Sequence, residues 1–329
     1  MNICVYGAGA VGGALAVRLR SAGENVSVVA RGEHARAIRN QGLTLVAGDQ
    51  RLTVSLPCVE DPRDLPVSPD VLFVTVKQTQ LPAIAQVLAE SMARGARVVL
   101  AMNGIPWWFA AQLPLAPGSG LLEAIDPGGV LRQSLDTTRL VHAVVQSSNE
   151  VIAPGVVLCT SPTRNRLILG TAASGHLCPL DDVLQVLRGA GYDAREAPDI
   201  RFEIWSKMAL WVAIAPFSAL SGRTLDELVA DPRAFEVMCA TMREMNLLGR
   251  RLGFELSDAE VEEKIGFFRD KPTRPSLLKD VELGREPELA SGVLVFDEVA
   301  RGLGFPAQRL QTVAALCAAR FGRTATPAP

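Results

Sequence analysis

Ile3-Cys4-Val5-Tyr6-Gly7-Ala8-Gly9-Ala10-Val11-Gly12 is a short apolar run that passes directly into G-x-G-x-x-G. Such a junction of strand and helix is a dinucleotide-binding turn. Gly7 allows the tight bend, Gly9 lets the backbone approach a pyrophosphate, and Gly12 lets the following helix sit close on the strand. Ala8, Ala10 and Val11 complete the loop, and the unpaired amides of the helix amino terminus face the phosphates. The apolar stretch 14–19 that follows fits that helix. The competing reading, a glycine-rich turn in another α/β protein, fits the flanking residues less well.

Strand and helix signals then alternate. Strands are predicted at 26–30, 71–76, 97–102, 141–147, 156–160 and 165–170, with an edge strand at 192–196. Residues 43–46 and 52–54 alternate around Gly48-Asp49 as a hairpin, and helices are predicted at 33–40, 81–93 and 180–189. The continuous apolar runs suit buried parallel strands. Beyond Pro198 the strand signals stop, and helices are predicted at 200–220, 224–252, 257–269, 288–303 and 307–320. The expected fold is therefore α/β: a Rossmann-type, doubly wound parallel sheet over residues 1–198, then an all-helical domain over 199–329. A ligand is expected in the cleft between them, at the carboxyl ends of the strands.

Bulk properties narrow the function. The 329 residues are 48% apolar and carry a net charge of −2, which excludes global disorder and argues against nucleic acid as a partner. Six scattered cysteines and three histidines (His34, His142, His176) form neither a disulfide framework nor a metal site. His34, His142 and His176 read best as surface or packing residues. No signal peptide is legible, and the apolar stretch 208–220, interrupted by Pro216, is short for a bilayer span. The expectation is a soluble, cytoplasmic protein that uses no metal and no membrane, with a frayed tail at 324–329.

Several polar residues sit where chemistry could occur. Arg31 closes the second strand, where an acid would favour NAD; an arginine there can pair with a 2′-phosphate, so NADPH/NADP is the expected coenzyme. A solvated Arg31 is the alternative. Lys77 and Asn103 follow central strands and read equally as ligand-facing groups or as loop and turn residues. Lys207 is the single charge between Ile204 and Ala215, and shares a helix face with Trp211 and Ala215. Such a lysine either snorkels to solvent or donates a proton from a partly dry cleft. Glu288 after Pro287 reads alone as a helix-dipole acid, and Ser276 after Pro275 as an N-cap.

Together these residues resemble the ketopantoate reductase (2-dehydropantoate 2-reductase) family over nearly the whole chain. The likeness runs through NICVYGAGAVGG, Arg31, the VTVK ending in Lys77, the MNG of Asn103, the EIWSK ending in Lys207, and RPSLLKDVELGREPE with Ser276, Asp280 and Glu288. The resemblance implies NADPH-dependent reduction of a 2-keto acid, as in pantothenate biosynthesis. Lys207 would be the general acid, and Glu288 would bind the substrate or position the lysine. Lys77 and Asn103 would line the nicotinamide and substrate site, and Ser276 would bind substrate.

One departure is marked. The family's lysine helix usually carries asparagines four and eight residues after the lysine, and this chain has Trp211 and Ala215. A drier pocket and a less polar carbonyl substrate follow as expectations. Trp107 and Trp108 read equally as pocket walls or as packing or a subunit interface, which leaves a homodimer open. Two further readings stand beside the reductase: a 3-hydroxyacid dehydrogenase of the 6-phosphogluconate type, and a non-catalytic NADPH sensor.

Overall fold

The computed structural model describes residues 1–65, 67–161, 164–172 and 179–322. His176, one of the six cysteines (Cys178) and the tail at 324–329 lie outside the described residues. The chain divides into two compact units: Met1–Asn103 with Gly128–Glu203, and Gly104–Pro127 with Ile204–Pro329.

Among the described residues the first unit holds twelve strands: β1 (Asn2–Tyr6), β2 (Asn25–Val29), β3 (Leu43–Ala47), β4 (Gln50–Val54), β5 (Cys58–Val59), β6 (Val71–Val74), β7 (Arg97–Leu100), β8 (Leu140–Gln146), β9 (Asn149–Ala153), β10 (Val156–Cys159), β11 (Arg166–Thr171) and β12 (Asp193–Glu196). Eight of them form one sheet in the order β12-β11-β8-β7-β6-β1-β2-β5. It is parallel from β5 through β8, and β11 pairs antiparallel to β8. Strand order reverses between β1 and β6. Their carboxyl ends therefore form the switch point at which ligands of such sheets bind.

The other four strands make a second sheet, β4-β3-β10-β9, which the sequence reading did not anticipate. Its two hairpins are joined by parallel pairing of β10 with β3. Its position explains α1 (Ala10–Ser21). Every residue from Gly12 to Val17 is buried, because the helix is covered on two sides. A Cβ on Gly13 would come within 2.7 Å of Val157 on β10, while Gly12 faces Thr75 at the end of β6. A helix enclosed in this way is apolar all round rather than on one stripe. This unit also carries α2 (Gly32–Gln41) and α3 (Ala85–Ala93).

Residues Gly104–Pro127 belong to the second unit, whereas a boundary at Pro198 would leave them in the first. They carry α4 (Trp107–Ala110) and α5 (Leu121–Ile125). The chain then returns to the first unit for α6 (Val130–Ser134) and α7 (Asp181–Gly189). The excursion is held by a backbone bond from Ile105 N–H to Ser291 O (2.8 Å). Aromatic contacts also hold it: Trp108 stacks on Phe109 (5.8 Å), and Phe109 meets Phe254 edge-on (6.3 Å). Both Trp107 and Trp108 are buried.

The second unit is helical: α8 (Ile200–Ser221), α9 (Leu225–Ala230), α10 (Pro232–Arg251), α11 (Val261–Gly266), α12 (Ser276–Glu282), α13 (Val295–Gly302) and α14 (Gln308–Phe321), with α8 starting in the first unit. A π-helical turn, Ala290–Leu294, precedes α13. The single helix predicted over 224–252 is two helices. Asp231 is extended and accepts bonds from Arg233 N–H and Ala234 N–H, and Pro232 starts α10 at the position where its missing N–H costs nothing. Helix α8 extends beyond the 208–220 stretch to 22 residues, and its most apolar 18-residue window has mean hydropathy 1.3, which makes the helix long and apolar enough to cross a membrane by length and composition. However, 61% of its most apolar window is buried, as in a core helix. One side packs against α9, α10 and α11, and Ala215 and Ala219 pack against Leu277, Leu289, Val313 and Cys317.

Glu244 on α10 ties α14 in place. Its carboxylate accepts from Arg309 N–H and Leu310 N–H (3.0 and 3.1 Å) and from Arg309 Nη1 (2.9 Å). Removing it leaves two amides and a guanidinium without this acceptor. Glu244→Ala should therefore lower unfolding stability by about 2 kcal/mol, read as a lower urea midpoint at unchanged slope.

Candidate active site

In the first unit the loop residues Gly7–Gly12 lie at the switch point. Gly7 has φ +100°, which only glycine adopts readily. Gly12 permits the close approach, since a Cβ there would overlap Gly7 O and Thr75 Oγ1. Thr75 secures the same turn by donating its hydroxyl to Gly7 O (2.5 Å). A Cβ on Gly9, by contrast, would meet nothing within 4 Å. The loop is thus packed tightly on the inside and open above Gly9. This is the cradle a pyrophosphate requires, so the residues present fit a dinucleotide.

Arg31 is exposed at the end of β2. Burial pushes the neighbouring Tyr6 phenol up from its ordinary value, and the Arg31 guanidinium offsets part of that shift. Asp61, just beyond β5, is engaged elsewhere: hydrogen bonds from Arg63 hold its carboxyl down at about 2. Arg31 itself hydrogen-bonds the Tyr6 phenol and adds to the lowering of the Asp61 carboxyl.

Lys77 and Asn103 follow the adjacent strands β6 and β7. Lys77 is half-buried and Asn103 exposed. Gln78, which sequence reasoning passed over, joins them: its buried side chain donates Nε2–H to Asn103 O (2.7 Å). Lys77 N–H donates to Gln80 Oε1 (3.2 Å), which closes the turn on its other side. Nothing in the local sequence distinguishes Gln78 from a surface glutamine.

The second unit gathers the other predicted residues. Lys207 and Trp211 are half-buried on one stripe of α8, between the buried Trp205, Met208, Ala209 and Val212. The Trp211 ring lies on the π-helical turn, where a Cβ at Gly292 would stand 3.1 Å from it. Gly292 N–H bonds to Glu288 O (3.2 Å), so Trp211 rests one turn beyond Glu288. Ala215 is fully buried with Leu277 and Leu289, the residues next to Ser276 and Glu288. Trp211 therefore lies by the turn that Glu288 opens, and Ala215 by Leu277, the residue after Ser276. Ser276 differs from expectation. It is the first residue of α12, with Pro275 at the cap position and no side-chain capping bond, so its exposed hydroxyl is not used to start the helix. Glu288 is half-buried immediately before the helical segment. No group of three or more His, Cys, Asp or Glu suited to a metal occurs among the described residues.

Residues 3–107 match the family described as Ketopantoate reductase PanE/ApbA, and residues 199–320 match its C-terminal domain. The chain belongs to the ketopantoate reductase family. It is 30% identical to the 2-dehydropantoate 2-reductase of Mesorhizobium japonicum over 96% of each chain. A Ralstonia solanacearum structure of the ketopantoate reductase type superposes with TM-score 0.83 at 32% identity, again over 96% of both chains. The fold is shared with D-mandelate dehydrogenase in ternary complex with NADH and anilino(oxo)acetate (TM-score 0.81, 16% identity, covering 97% of this chain and 98% of that one). Membership makes the chain an oxidoreductase, and it places the glycine loop in a fold known to bind a nicotinamide dinucleotide.

Proposed function

We propose that this ketopantoate reductase family member reduces the ketone of a 2-keto acid with NADPH, using Lys207 as general acid. Lys207 carries the proposal: it is the single charge between Ile204 and Ala215 and stands half-buried beside the Trp211–Gly292 contact. NADPH, when bound, supplies a hydride to the keto carbon. The backbone of Gly7–Gly12 holds the pyrophosphate, and Arg31 pairs with the 2′-phosphate. Lys77 and Asn103 line the nicotinamide and substrate. The Lys207 ammonium gives its proton to the carbonyl oxygen as negative charge develops there, which leaves a 2-hydroxy acid and a neutral amine that solvent reprotonates. Glu288 orients the ammonium or accepts a bond from the substrate, and the Ser276 hydroxyl binds the substrate's polar end.

The substrate is proposed to be less polar than 2-dehydropantoate. Position 215 lies within the core and offers nothing to a ligand, and position 211 presents an indole where the family's usual residue presents an amide. A buried polar group on the substrate would go unpaired against that surface. Following the dimeric ketopantoate reductase of Staphylococcus aureus (16% identity, TM-score 0.71), the chain is proposed to form a homodimer. Following its biosynthetic relatives, it is proposed to work in the cytoplasm.

The test is NADPH oxidation against a panel of 2-keto acids, with 3-hydroxy acids and NADP as the opposing set. Turnover only in the second set would overturn the proposal, as would tight NADPH binding with no turnover at all. Coenzyme choice has its own test. Arg31→Ala should raise KM for NADPH roughly 10- to 100-fold, the worth of a charge-assisted contact, and leave KM for NADH little changed. Equal effects on both coenzymes would remove Arg31 from the 2′-phosphate.

A further inference from the structure

His34 lies on the first turn of α2 and makes two hydrogen bonds that connect distant parts of the first unit. Its Nε2 is 2.7 Å from Ala8 O, inside the glycine loop. Its Nδ1 is 3.0 Å from Gly155 N, at the turn between β9 and β10 of the second sheet. Gly155 N–H can only donate and Ala8 O can only accept. One neutral tautomer satisfies both: Nδ1 bare and Nε2 protonated.

The Gly155 end is rigid. Gly155 has φ +75°, its carbonyl accepts from Thr44 N–H (2.9 Å), and a Cβ there would press on Ala37 at 3.2 Å. Pro154-Gly155 is therefore a fixed turn seated between α2 and β3. The Ala8 end belongs to the peptide that joins Ala8 to Gly9. In a planar trans peptide the carbonyl and the amide hydrogen point in opposite directions. Holding the Ala8 carbonyl on His34 thus fixes the direction of Gly9 N–H, at the position where the loop is open.

We propose that His34 is a positioning residue of the coenzyme site, through which the β9–β10 turn of the second sheet sets the Ala8–Gly9 peptide so that Gly9 N–H is preset to receive the pyrophosphate. This rests on the dinucleotide reading of the glycine loop. It gives the second sheet a role in coenzyme affinity, although that sheet contributes no residue to the proposed contacts.

The test is the dissociation constant of NADPH by fluorescence, independent of turnover. His34→Leu should weaken binding about tenfold, the worth of one lost orienting hydrogen bond, with kcat at saturating NADPH unchanged within about twofold. His34→Gln, whose amide can accept from Gly155 and donate to Ala8, should restore affinity to within about threefold. Binding by His34→Leu equal to the parent would overturn the inference, as would His34→Gln as weak as His34→Leu. If the parent binds no dinucleotide, the proposed function falls as well. Imidazole 15N shifts of the unaltered protein add a readout that needs no variant: an Nε2-protonated His34 is required, and an Nδ1-protonated ring would overturn the arrangement.

Discussion

Lys207→Ala should lower kcat by about 10²–10⁴-fold, the usual worth of a positioned general acid, while NADPH binding and the unfolding midpoint stay near those of the parent. The side chain lies on the less buried stripe of α8, and the helix is held by Trp205, Met208, Ala209 and Val212 on its other sides. Truncation therefore removes a proton donor without opening the core. Lys207→Arg should not rescue the rate. The guanidinium keeps the positive charge but does not give up its proton at ordinary pH. That pair of variants separates proton donation from simple attraction of an anionic substrate. A loss confined to KM, recovered by arginine, would make Lys207 a binding residue.

Trp211→Asn should reverse the order of substrates. Restoring the amide four residues after the lysine should raise kcat/KM for 2-dehydropantoate by about 10- to 100-fold, as a hydroxyl-bearing substrate gains a partner worth about 1–3 kcal/mol. It should lower kcat/KM for keto acids with large apolar substituents, which lose the indole surface. The variant also vacates the space above Gly292, where the ring now lies in contact. A modest loss of stability, roughly 1–2 kcal/mol for a half-buried aromatic, should accompany the switch. If both substrate classes fall together, the indole supports the helix packing alone and sets no specificity.

The contrast between these two residues and the rest of the site shows what sequence can carry. The glycine loop was legible in full, because turn, close approach and opening each require a particular residue type at fixed spacing. Lys207 was legible as an anomaly, a lone charge in an apolar helix, although the proton-donor role proposed for it comes from family resemblance. The Asp231-Pro232 break was written in local chemistry but was overridden by the long helical periodicity on either side of it. Ser276 was misread for the opposite reason: a serine after proline resembles a cap, yet Pro275 occupies the cap position itself.

Other features had no local signature. The second sheet depends on parallel pairing of β10 with β3, more than a hundred residues apart in sequence. Its hairpin at 43–54 and the strand at 156–160 are legible as separate elements, but nothing local says that they pair. The excursion of residues Gly104–Pro127 into the helical unit is pinned by a backbone bond from Ile105 to Ser291, which needs no special side chain. Gln78 and His34 act through carbonyls of Asn103 and Ala8. Their neighbours in sequence do not mark them, and the fold alone brings the partners together.

Hydride delivery to a 2-keto acid carbonyl, with protonation by Lys207, leaves an isotopic signature. The purified chain is given NADPH deuterated at C4 of the nicotinamide, first on one face and then on the other, together with an apolar 2-keto acid. One of the two coenzymes should transfer its deuterium to C2 of the 2-hydroxy acid, and Lys207→Ala should yield the same labelled product far more slowly. A product without deuterium from either coenzyme, or a Lys207→Ala variant as fast as the parent, would contradict this chemistry.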